Sequence, residues 1–161
     1  MIAILDSIRS AHNVGSIFRT ADAVGVSKLY LCGLTPAPLD RFGRRNLRLT
    51  KVSLGAEYSV LWEQVTATVH VLKKLKKQGL TIVALEQAAQ AKNLFMLTPP
   101  SAAVLKKTAL VVGPEVTGLA PAILEQADSI VEIPMRGKKE SLNVAVAFGV
   151  ATYWLCQKAI V

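Results

Sequence analysis

Cysteine and histidine are scarce in this chain: Cys32, Cys156, His12 and His70 are the only ones among 161 residues. The two cysteines lie far apart in apolar surroundings, which excludes a disulfide framework and marks them as buried thiols of a reducing compartment. Neither histidine has a cysteine or carboxylate at ligand spacing, so no metal site is expected. The start of the chain lacks a basic segment followed by a long apolar stretch and a small-residue cleavage site, so no secretion signal is read and a cytoplasmic location is expected. Long apolar runs are missing as well. The run 144–156 stops at thirteen residues before Gln157 and Lys158, short of the roughly 20 a bilayer span needs, and is expected to be a helix buried in the core or against a second subunit. Acidic residues are few, 11 against 19 Lys and Arg, leaving a net charge of +8. That field favours a polyanion as partner, nucleic acid first of all. Gly-x-Gly-x-x-Gly occurs nowhere, which counts against a dinucleotide-binding enzyme.

What is present is apolar substance: 52% of the residues are hydrophobic and 19% charged, enough to bury one core and to exclude disorder. Short runs rich in Val, Ile and Leu alternate with helix-length segments, and no linker or repeat interrupts them. The pattern predicts an α/β fold of one domain over 1–161, with a mostly parallel sheet flanked by helices. Strands are expected at 2–5, 28–32, 82–85, 110–112 and 129–133. Helices are expected at 14–24, ended by Gly25, at 64–78, ended by Gly79, and at 121–126. Lys73, Lys74, Lys76 and Lys77 decorate the last turns of the second helix, where cations suit the helix dipole, and read as a solvated face.

Four segments carry chemistry. Asn13, Gly15, Arg19 and Thr20 form Asn-x-Gly-x-x-x-Arg-Thr at the first strand-to-helix turn. Asn13 alone suits a helix N-cap. Arg19, between Ile17, Phe18 and Ala21, is expected to be buried or to face a cleft, with Asp22, Glu115 or a substrate phosphate as its anion. The second segment, 110–119, runs from a strand into a turn holding Gly113, Glu115 and Gly118. Its glycine spacing imitates half of a phosphate loop, but Leu119 and Ala120 stand where Lys and Ser/Thr are required, which excludes nucleotide triphosphate hydrolysis by that device. The third runs from Ile133, Pro134 and Met135 to Ser141, Leu142 and Asn143. Ser141 suits the N-cap of the apolar helix, and Asn143, expected in its first turn, has a further hydrogen-bonding duty. The fourth segment is basic. Arg41, Arg44, Arg45, Arg48 and Lys51, with Phe42 among them, read as an exposed loop or ragged helix fit for RNA phosphates and base stacking.

In this order and spacing, the first three segments closely resemble the motifs of the SpoU (TrmH-like) branch of the SPOUT RNA methyltransferases, over nearly the whole chain. The resemblance implies S-adenosylmethionine as cofactor, methyl transfer to a ribose 2′-hydroxyl of tRNA or rRNA, a C-terminal trefoil knot and a homodimer packed through the first and last helices. It implies that Leu85, Gly113, Ile133, Ser141 and Leu142 cradle the cofactor, and that Arg19, Asn13, Glu115, Ser141 and Asn143 serve catalysis. Gly113 is expected to let the main chain lie against the cofactor. Val116 and Thr117 stand where many relatives have small residues, and Ala145 where many have Ser. The RNA-binding segment that precedes the first motif in larger relatives is expected to be absent. The alternative is a non-catalytic RNA-binding protein that keeps the knot.

Overall fold

The computed structural model describes residues 1–160. Its seven strands are β1 (Ile2–Asp6), β2 (Lys28–Cys32), β3 (Leu61–Val65), β4 (Thr81–Leu85), β5 (Lys92–Asn93), β6 (Thr108–Val112) and β7 (Ser129–Glu132). They form one sheet in the order β3-β2-β1-β6-β4-β7-β5, every neighbouring pair parallel. The helices are α1 (Ala11–Val24), α2 (Leu47–Ser53), α3 (Ala56–Ser59), α4 (Thr68–Lys77), α5 (Ala102–Lys106), α6 (Pro121–Leu124) and α7 (Val144–Ile160).

Side-chain alternation along the strands divides the core into two layers. Leu29, Leu31, Leu110 and Val112 face the layer that holds Phe18 of α1 and Phe148 of α7. Tyr30, Cys32, Ala109 and Val111 face the other, under α4 and α6, with Leu72 and Ile123. All five residues of β6 are buried, as a central parallel strand covered on both faces requires.

The expected strands are all present, but 64–78 is not one helix. Gln64 and Val65 end β3, and α4 starts at Thr68. β3 is an edge strand paired only with β2, and its residues are half-buried or exposed, so its sequence carries no continuous apolar run. Glu63 is there to meet Lys28 of β2 at 2.6 Å. The hydrogen bond from Lys28 holds the Glu63 carboxyl below its ordinary value. The short α2, α3 and α5 and the two-residue β5 are further elements that periodicity did not announce.

Helix α1 begins one turn earlier than expected. Ser10 is its N-cap and accepts from the backbone N–H of Asn13 at 3.2 Å, so Asn13 lies inside the first turn and is not the cap. At the other end Gly25, at φ +73°, gives the left-handed turn. Gly15 permits a close approach, but by α2. A Cβ there would lie 2.6 Å from the Leu49 carbonyl oxygen and 2.9 Å from Val52 Cβ.

Both thiols are buried and unbridged. Burial pushes the Cys32 thiol up to about 11, so at pH 8 it stays protonated and unreactive. A colorimetric thiol titration of the native protein is expected to find neither cysteine until denaturant is added. Rapid labelling of Cys32 without denaturant would contradict that burial. Among the described residues, no helix is long and apolar enough to cross a membrane, and no group of three or more His, Cys, Asp or Glu side chains could hold a metal ion.

Candidate active site

The strand order turns back on itself between the early strands and β4, the place where parallel sheets bind ligands, beyond the carboxyl ends of the strands. Here β4, β6 and β7 deliver three loops. β6 stops at Val112 and enters the turn 113–119, in which the Gly118 N–H donates to the Pro114 carbonyl at 3.0 Å. Glu86, directly after β4, props that turn from below. Its Oε2 accepts from the Leu119 N–H at 2.6 Å and its Oε1 from the Gln87 N–H at 3.0 Å. Gly118, at φ +65°, leaves room for this carboxylate, since a Cβ would stand 2.7 Å from Glu86 Oε2. Gly113 has a comparable steric reason that differs from the expected one. A Cβ at Gly113 would lie 2.8 and 2.9 Å from the Leu119 side chain, so this glycine first of all lets the turn fold back on itself.

The three loops enclose a cavity of about 330 Å³, at the small end of the roughly 300–1,000 Å³ usual for small-molecule sites. Leu85, Gly113, Ile133, Ser141 and Leu142, drawn from three distant stretches of sequence, all line it, and so does Glu115. Their apolar side chains suit a flat ring. Glu132 and Glu140, also in the lining, suit a cationic group. Sequence reasoning passed over Glu86, Glu132 and Glu140. The available signal was a carboxylate at the carboxyl end of an apolar strand, directly after β4 at 86 and as the last residue of β7 at 132.

At the rim the motifs meet through side-chain amides. Asn143 Nδ2 donates to Asn13 Oδ1 at 3.2 Å, and Asn13 Nδ2 donates to Glu115 Oε1. Asn143 Oδ1 accepts from the backbone N–H groups of Ala145 and Val146 at 2.9 and 3.4 Å. Asn143 therefore caps α7. It does not lie inside the first turn, and Ser141, exposed two residues earlier, is free of capping duty and faces the cavity.

Arg19 departs from expectation. It is exposed on α1, not buried among Ile17, Phe18 and Ala21, because the helical turn carries those three inward and Arg19 outward. Among the described residues it has no carboxylate within 4.0 Å and does not line the cavity of its own chain.

The basic segment is both a loop and a helix. Arg41, Arg44 and Arg45 lie on the turn before α2, Arg48 and Lys51 on α2, and all five are exposed. Asp40 staples the loop, accepting from the backbone N–H groups of Arg44 and Phe42 and from Arg44 Nε at 2.9, 2.8 and 2.8 Å. These bonds, that of the Arg44 N–H first, hold its carboxyl below the usual value.

A parallel sheet with a loop-built cavity at its carboxyl edge, beside Asn13, Glu115 and Asn143, defines an α/β protein with a cavity where such folds bind small molecules. The model of the SpoU rRNA Methylase family matches residues 1–153, and the chain belongs to that family. It is 34% identical over 149 residues to the 23S rRNA (guanosine-2′-O-)-methyltransferase RlmB of Neisseria meningitidis, covering 92% of this chain and 55% of that protein. It is 34% identical over 153 residues to the tRNA (guanosine(18)-2′-O)-methyltransferase of Aquifex aeolicus, covering 95% of this chain and 67% of that protein. The crystal structure of the SpoU methyltransferase AviRb from Streptomyces viridochromogenes, in complex with AdoMet, superposes with a TM-score of 0.83 at 25% identity over 99% of this chain and 60% of that one. The chain spans little more than half the length of the first of these relatives.

Proposed function

We propose that this protein is an S-adenosylmethionine-dependent RNA methyltransferase that acts on a ribose 2′-hydroxyl of tRNA or rRNA. The observation that carries the reading is the Asn143–Asn13–Glu115 string at the rim of the cavity, which joins residues up to 130 positions apart. The 2′-O-methyltransferase names of two relatives and the AdoMet complex of a third support it. RNA substrates also support a cytoplasmic location.

The cavity's apolar walls at Leu85, Ile133 and Leu142, with carboxylates and the Ser141 hydroxyl beside them, fit a cofactor that joins a flat base to a cationic sulfonium. When bound, S-adenosylmethionine supplies an electrophilic methyl group. Protein groups then have to place the ribose oxygen in line and stabilise the charge that grows on it. Arg19 is our candidate for the second task. A guanidinium is permanently protonated, so it holds the RNA phosphate and stabilises the incipient alkoxide, while the hydroxyl proton leaves to phosphate or water. Asn13 and Asn143 orient the ribose edge of the site, with Glu115 as the fixed acceptor of Asn13 and Asn13 as that of Asn143.

Because Arg19 lies outside its own chain's cavity, we assign it to the cavity of a second copy. The exposed faces support a homodimer: Val146 and Tyr153, a heptad apart on α7, are 52% and 51% exposed, beside the helix that carries Arg19. A C-terminal trefoil knot belongs to the same reading. It is supported by β7 lying between β4 and β5, which are consecutive in the chain, and by the return of α7 onto α1. Arg41, Arg44, Arg45, Arg48 and Lys51 would then meet RNA phosphates.

Calorimetry with S-adenosylmethionine, sedimentation, and transfer of labelled methyl to total tRNA and ribosomal RNA test the proposal. Saturable cofactor binding by a dimer and label recovered as 2′-O-methylnucleosides are expected. RNA binding is expected to weaken steeply with salt, by about 0.7–0.9 in log–log slope per phosphate contact. A folded protein that binds RNA but no cofactor would make it a non-catalytic relative.

A further inference from the structure

Glu57, on α3, is a carboxylate in a place that packing alone would give to an apolar residue. Its side chain is 3% exposed. One oxygen is well served, since Oε2 accepts from the Ser53 hydroxyl and from the Gly55 N–H at 3.1 Å. The other is not: Oε1 is buried with no hydrogen-bond partner. Its cation is Arg45, whose Nη2 lies 3.6 Å away, close enough for strong attraction and longer than the roughly 2.7–2.9 Å of a charge-assisted hydrogen bond. A buried carboxylate is costly unless a cation offsets it, so its presence ties α3 to whatever carries Arg45.

Arg45 closes the basic loop. Its backbone bridges to Leu39 across the loop base, and it precedes Asn46, the N-cap of α2. Asp40 staples the loop from within; Glu57 holds it from beneath. On the outside Phe42 and Tyr58 are 66% and 72% exposed. The Arg41 and Arg44 guanidinium carbons stand 4.7 and 5.0 Å from the Phe42 ring centre, and that of Arg45 stands 5.8 Å from the Tyr58 ring centre. Exposed aromatic faces interleaved with arginines suit unstacked bases and their phosphates. The Arg45 side chain is still 54% exposed, so an edge of its guanidinium remains for an anion while the other faces Glu57.

We infer that Glu57 is a positioning residue for RNA: it fixes Arg45, and through the loop base it presents Arg41, Phe42 and Arg44 as one surface to a single-stranded segment of the substrate. The inference rests on the reading of this loop as an RNA contact. It is tested with the full-length protein by fluorescence anisotropy on labelled total tRNA at several salt concentrations. Glu57→Gln is expected to lower RNA affinity roughly ten-fold and to flatten the salt slope by about one, as loss of one phosphate contact does. Cofactor affinity and the circular dichroism spectrum should stay unchanged, and Glu57→Asp should restore part of the loss. In an Arg45→Met background, Glu57→Gln should cost nothing more. Unaltered RNA affinity in Glu57→Gln, or an equal further loss in the Arg45→Met background, overturns the inference. If Glu57→Gln does not fold, Ser53→Ala, which removes a donor fixing the carboxylate, takes its place with the same expected pattern. If Arg41→Ala combined with Arg44→Ala leaves RNA affinity intact, the RNA reading of the loop fails. If that pair weakens binding and Glu57→Gln does not, only the positioning role fails.

Discussion

Replacing Arg19 by alanine is expected to abolish methyl transfer, lowering kcat by at least about 10²–10³-fold, the usual cost of removing a group that stabilises a developing oxyanion. Cofactor affinity is expected to remain, because the role assigned to Arg19 lies on the RNA phosphate and the ribose oxygen, while the cavity walls come from other residues. Arg19→Lys keeps the charge without the planar fork and should recover only a small part of the rate. A mixing experiment tests the two-copy site directly. Arg19→Ala protein combined with a variant whose cavity is filled, such as Ser141→Trp, should regain activity, since each mixed dimer holds one intact cavity facing one intact arginine. Full activity in Arg19→Ala alone removes this residue from the chemistry, and no recovery on mixing returns the site to a single chain.

The second large effect is on stability. Gly15→Val should cost about 3 kcal/mol and lower Tm by roughly 6–12 °C. The nearest obstacle to a Cβ is the Leu49 carbonyl at 2.6 Å, followed by Val52 Cβ at 2.9 Å and the Ser53 nitrogen at 3.3 Å. Backbone atoms cannot step aside as a flexible side-chain tip can, so α1 and α2 must separate. Alanine lets a good helix former replace glycine, which offsets about 1 kcal/mol of the clash, and should be milder. Because α1 also carries Asn13 and Arg19, the loss of packing should be accompanied by loss of activity in the surviving folded fraction. A melting temperature equal to that of the unaltered protein would show that the interhelical gap is wider than described.

Much of the fold was legible because a central parallel strand has to be apolar on both faces, and β1, β2, β4 and β6 say so in their sequences. β3 does not. At a sheet edge, Leu61 can be 70% exposed while Glu63 pairs with Lys28, so Leu-Trp-Glu-Gln-Val has no periodicity to betray it and its end is mistaken for a helix start. Caps were misplaced for a related reason. Ser10 and Asn13, or Ser141 and Asn143, are equally good capping types two or three residues apart, and only the folded chain shows that Ser10 caps α1 while Asn13 reaches across, and that Asn143 both caps α7 and meets Asn13. The cavity residues were found through the motifs they share with a family. The outward aim of Arg19 follows from the helical spacing of Ile17, Phe18 and Ala21, whereas the crowding around Gly15 and Gly113 by Val52, Leu49 and Leu119 depends on neighbours that spacing along the chain does not specify.

A primary amide looks nearly the same whichever way round it is turned, yet the string at the cavity rim allows one sense only. With the carbonyl end of Asn143 committed to the first main-chain donors of α7, its amino end has to point at Asn13, and that choice dictates the orientation of Asn13 towards Glu115. The same directionality shows what a single change of charge would do: Asn13→Asp turns a donor into a second anion facing Glu115. Repulsion between the two carboxylates would push the turn after β6 away from α1 and silence the site while leaving the fold standing.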